Sequence, residues 1–156
     1  MTPPRPPELD PVTRRALAAG LFNRTWELLE TVPRSAAQDD ELIHTAHASR
    51  FHWGEVGAAV NLARGEWLCS RVYAVLGRPE PALHHARRCL ELTESNPERE
   101  DWDLAAAYEA MARAQLVAGE PVAAASWRTR GLAALDAIAD PADRMPIEAD
   151  LASLVG

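Results

Sequence analysis

The chain contains no lysine: all 16 of its basic residues are arginine. That excludes Schiff-base chemistry on a lysine amine and the phosphate-binding lysine of a P-loop. Cysteine is scarce, and two residues cannot make a disulfide framework. Cys69 and Cys89 stand symmetrically about the turn at Gly77 to Pro79. A bridge across that turn is one option, and two packed thiols are the preferred one. No apolar run approaches the roughly 20 residues that span a bilayer. Met1 to Asp10 is proline-rich and lacks the hydrophobic core of a secretory signal, so the expected compartment is the cytoplasm. Positive charge is also short. A net charge of −7 argues against nucleic acid or an anionic membrane as the main partner, because phosphate binding needs a cationic surface. The common catalytic signatures are missing as well: there is no G-x-S-x-G elbow, no Gly-rich phosphate loop and no C-x2-C pair.

What remains is a helical pattern. At 156 residues with a 47% hydrophobic fraction, the chain is long enough for one domain with its own core. Residues 1–10 read as an extended tail and 11–156 as a single helical domain. Pro11 suits a first helical position, and Leu17, Leu21, Trp26, Leu28 and Leu29 carry a helix to about Val32. Asp39 and Asp40 open a second, running to about Trp53, with Gly54 and Gly57 bracketing a turn. A third extends from about Ala58 to Leu76 and a fourth from Glu80 to Thr93, with Ala82, Ala86 and Cys89 inward. A fifth opens at Asp101. A sixth ends near Ala139, and Ile147 to Val155 form a short terminal helix. No segment has strand-like alternation, so the expectation is all-α, with about six to seven helices in antiparallel hairpins.

One hairpin occurs twice. Tyr73-x3-Gly77-x4-Ala82-x6-Cys89 is echoed by Gln115-x3-Gly119-x4-Ala124-x6-Gly131, and each matched pair stands 42 residues apart. A repeated hairpin buries its apolar face on its neighbour. At these positions the chain resembles the tetratricopeptide repeat, of a bacterial type, with the clearest repeats at about 62–94 and 104–139. The second copy also matches at Tyr108 and Ala112. The offset exceeds the usual repeat of about 34 residues, and Ala86 and Arg128 stand where the family has a large aromatic. The resemblance implies a short stack of hairpins that binds a protein or peptide in a concave groove lined by the first helix of each pair. By position that groove takes Arg64, Trp67 and Arg71 from the third helix, and Glu109 and Arg113 from the fifth. The lysines and asparagines of the family's carboxylate clamp are absent.

Two constellations carry chemistry. Arg64, Trp67 and Arg71 are three and four residues apart, so one helical stripe presents them together. Guanidinium forks bind carboxylates at two points and an indole offers a flat apolar platform, which suits an acidic peptide. Asp40, His44 and His47 fall within a sector of roughly 60° on one helix. A carboxylate and two imidazoles on one face suit a divalent metal, in a metal-binding bundle or a metal-dependent enzyme. The first expectation is a non-enzymatic binding module without a cofactor, and the metal reading is its rival. A third alternative is a self-assembling structural protein, a homodimer burying some of the five tryptophans.

Overall fold

Caps and turn residues set the helix boundaries. A computed structural model describes residues 1–155. Asp10 opens α1 (Pro11–Glu30) by accepting the Thr13 N–H at 2.9 Å, with Pro11 in the first turn. Ser35 and Gln38 form a reciprocal capping box at the start of α2 (Ala36–Val56). The helix therefore begins before Asp39, which falls in its first turn and pairs with Arg34 at 2.8 Å. Gly54 remains inside α2, and Gly57 ends it. Met1–Asp10 has no regular structure and is exposed apart from half-buried Leu9.

α3 (Ala59–Val75) and α4 (Pro79–Ser95) are joined by a tight turn, and so are α5 (Asp103–Val117) and α6 (Pro121–Ala134). The two turns are built alike. Gly77 and Gly119 have φ of 67° and 76°, in the left-handed region that glycine occupies without a Cβ penalty. Arg78 N–H reaches Tyr73 O at 2.9 Å and Gly77 N–H reaches Ala74 O at 3.1 Å. Glu120 N–H to Gln115 O at 3.0 Å and Gly119 N–H to Leu116 O at 3.1 Å repeat the pattern. This is the paired Schellman closure, and a proline at the first position of the next helix follows each time.

Among the described residues there are seven α-helices and no strand. After α6 a 3₁₀ turn, Leu135–Ala137, leads to α7 (Pro141–Ser153). The sixth helix is thus shorter than the sequence reading, and the seventh longer. Asp140 caps α7 with Pro141 at its start, and Pro146 lies within the helix. Consecutive helices pack on one another, and α3 also packs on α5. None is long and apolar enough to cross a membrane.

Small residues let the helices approach. Ala82, Ala86, Ala110 and Ala114 are buried between α3, α4, α5 and α6 beside Met111, while Leu28, Leu42, Leu68 and Val72 fill the core of the first half. Buried hydroxyls pin neighbouring helices through backbone carbonyls: Ser49 donates to Ala18 O and Ser70 to Ala82 O, both at 2.8 Å. Gly131 seats the side chain of Leu151, whose Cδ2 lies 2.7 Å from where a Cβ would stand. That contact docks α7 on α6.

Candidate functional site

α3 carries two stripes on opposite sides. At about 100° per residue, Arg64, Trp67 and Arg71 share one face, and Glu66, Cys69 and Tyr73 share the other. The first meets α1, α5 and α7; the second meets α2 and α4.

On the first side a cleft of about 290 Å³ is walled mainly by aromatic and apolar groups: Phe22 and Trp26 of α1, Ala63 and Trp67 of α3, Trp102 and Ala106 at the start of α5, and Pro146 and Ile147 of α7. Trp26 and Trp67 pack with ring centroids 5.7 Å apart. The Trp67 indole N–H is buried without an acceptor among the described residues.

Of the five residues predicted for the groove, Arg64 and Trp67 line this cleft and Arg71, Glu109 and Arg113 do not, and the charges are already matched. Arg64 donates to both oxygens of Asp103, at 2.9 and 3.1 Å, while lying 4.2 Å over the Trp102 ring. Arg71 makes the same forked contact with Asp150 of α7, at 2.8 and 3.2 Å. Its guanidinium also lies beside the packed Trp26 and Trp67 rings, 5.6 and 5.5 Å from their centroids. Arg113 donates to Glu109 at 2.6 Å and lies 3.6 Å from Asp150. Glu109 does not line the groove. It is 2% exposed, beneath Arg71 and Arg113. Burial holds its carboxyl above the usual range, against the opposing pull of Arg113 and Arg71. The expectation of free guanidinium forks is therefore corrected: Asp103 and Asp150 supply the carboxylates from within the chain. Among Arg64, Trp67 and Arg71, the Trp67 indole N–H is the buried group without a hydrogen-bond partner.

The predicted metal ligands are not brought together. Asp40 and His44 are exposed on α2, and of the three only His47 turns inward. It meets residues from other helices. His47 Nε2 and the Tyr73 hydroxyl are hydrogen-bonded at 2.9 Å. The His47 and His85 rings lie 5.2 Å apart, and His85 stacks on Tyr73 at 5.8 Å. One ligand atom from each of His47, Cys69 and His85 lies within 4.8 Å of the others. His85 Nδ1 is 2.6 Å from Glu66, whose other oxygen accepts from Arg50 at 3.0 Å. Burial raises the pKa of Glu66, but His85 and then Arg50 outweigh it and leave the net shift downward. Burial also lowers the pKa of His47, and its neighbours His85 and His44 add to that effect. The Cys69 thiol is pushed up to about 12 by burial.

Both cysteines are free and buried, as two packed thiols require. They serve different places, Cys69 beside the histidines and Cys89 on the wall of the aromatic cleft. Sequence reasoning overlooked Trp26, Trp102, Asp103 and Asp150 on one side, and Glu66, Cys69 and His85 on the other. The spacing Glu66-x2-Cys69-x3-Tyr73 was the available signal for the second set, because it places three polar groups on one helical face. Compared with protein-family models, with curated proteins and with solved structures, the chain matches none.

Proposed function

We propose that this protein is a non-catalytic binding module, a tetratricopeptide-repeat-like stack whose cleft takes an apolar anchor from a protein or peptide partner. The observation that carries this reading is the cleft between α1, α3, α5 and α7, with three tryptophans on its wall and one buried indole N–H lacking an acceptor. Concave, largely apolar sites with a few placed polar groups are where ligands bind, and about 290 Å³ suits one or two side chains rather than a large cofactor.

Pairing of Arg64 and Arg71 changes the ligand from the acidic peptide expected on spacing alone. Guanidinium groups already bonded to carboxylates gain little from a third, so apolar contact comes first and affinity should vary little with salt. Asp150 stands where an acidic partner would bind Arg71 and Arg113. Such a partner would have to displace α7.

Peptide display on the purified chain tests the proposal. Selected ligands should share a large apolar residue, and Ala106→Trp, which fills the cleft from its wall, should weaken them by at least tenfold. Ligands that bind Ala106→Trp as well as the wild type would place recognition elsewhere and sink the cleft reading.

A further inference from the structure

We propose that His47, Cys69 and His85 form a binding site for a thiophilic transition-metal ion of the zinc class, on the side of α3 opposite the aromatic cleft. This site does not depend on the peptide-binding reading.

The three residues come from three helices, so the site exists only once α2, α3 and α4 have packed. Two imidazoles and a thiolate are the donor set that favours zinc over magnesium or calcium, which take oxygen ligands. With Zn–N near 2.0–2.1 Å and Zn–S near 2.3 Å, tetrahedral ligands stand roughly 3.3–3.8 Å apart. The ligand atoms here lie within 4.8 Å of one another. Coordination would draw them together by about 1 Å.

The surroundings of the cluster are those of a metal site. Glu66 accepts from His85 Nδ1 at 2.6 Å, which places the lone pair on Nε2. A carboxylate behind a histidine is the arrangement that orients metal-bound imidazoles and strengthens them as ligands. Glu66 is held in turn by Arg50. Gly65 allows that pair: a Cβ there would stand 2.6 Å from Arg50 Cδ. The Tyr73 hydroxyl is hydrogen-bonded to His47 Nε2 at 2.9 Å and fixes that ring. The three donors leave a fourth position for water or a side chain.

Cys69 is fully buried beside the two imidazoles. A bound cation deprotonates a coordinating thiol outright. Metal binding then releases the thiol proton to solvent, with no oxidant or reductant involved.

The experiment uses the full chain purified without a histidine tag. Zn2+ is titrated in competition with a chromogenic chelator, and Co2+ is added separately as a spectroscopic probe. The expected result is one zinc per chain and a thiolate-to-cobalt charge-transfer band. Cys69→Ser should abolish the band and weaken zinc by at least ~100-fold, and Glu66→Gln should weaken it by roughly 10–100-fold. Cys89→Ser and His44→Ala should leave both readouts unchanged. The wild-type cobalt spectrum carries the test even where a variant fails to fold. Absence of the charge-transfer band overturns the site. So does zinc binding that survives Cys69→Ser, or that is lost in His44→Ala, which would move the metal to the exposed face of α2.

Discussion

His47 illustrates how a single residue's surroundings set its behaviour. Burial disfavours its charged form, His85 and His44 add to that effect, and Glu66 opposes it. An imidazole whose pKa is lowered by folding binds its proton more tightly in the unfolded chain. Its contribution to stability is therefore present above the ordinary value near 6.5 and is lost as the pH falls through that value toward the folded one. Urea midpoints measured from pH 8 to pH 5 should fall at the acid end, and His47→Gln should flatten part of that fall. An unchanged profile in the variant would show that His47 titrates alike in both states. Ala82 and Ala124 are a second case at this scale. Both are buried at equivalent points of the two hairpins. Ala82→Leu and Ala124→Leu should each cost about 1–3 kcal/mol of unfolding free energy by overpacking.

Among the elements, the two glycine turns and α7 differ in what holds them. A Cβ at Gly77 or Gly119 would meet nothing within 4 Å, so the constraint there is backbone conformation alone. Gly77→Ala and Gly119→Ala should each destabilise by about 1–2 kcal/mol, the cost of an L-residue in left-handed backbone. Equilibrium denaturation measures both, and matching values would show that the two turns are equivalent in energy as well as in geometry. α7 is held differently. Leu151 is its one buried residue among those described; it rests on Gly131, while Arg128 donates to Leu151 O at 2.8 Å and Arg71 grips Asp150. An element with so little buried surface opens before the rest of the molecule. Amide exchange should show weaker protection in α7 than in α3 or α5. Asp150→Ala should lower its opening free energy by a further ~1–3 kcal/mol, as expected for loss of a charge-assisted bond.

For the molecule as a whole, α3 is the divider. One face turns to the aromatic cleft and the other to the histidines and Cys69, with the buried core of α3 between them. Fluorescence of Trp26 and Trp67 should respond to ligands in the cleft and stay constant on zinc addition. A change with zinc would mean that the two faces are coupled through α3.

Helices, turns and hairpin pairing were legible in the sequence because they depend on residues close along the chain. Asp10, Gly77, Pro79, Gly119 and Pro121 satisfy or end local hydrogen-bond ladders whatever lies around them. The burial of Ala82, Ala86 and Cys89 followed from helical periodicity. The start of α2 was missed because the Ser35–Gln38 capping box precedes the more conspicuous acidic pair. The α7 start was placed too late, at Ile147, although Asp140 and Pro141 initiate the helix ahead of it. Periodicity also placed Arg64, Trp67 and Arg71 on one face, and they are on one face. What each guanidinium meets was beyond it. Asp103 lies 39 residues from Arg64, and Asp150 lies 79 from Arg71. His47 and Cys69 reach His85 only through the packing of α2, α3 and α4. Spacing along a helix decides which way a side chain points, because the backbone repeats every 3.6 residues. Which charge or ligand atom waits for it there depends on distant segments docking, and the tertiary structure alone decided that.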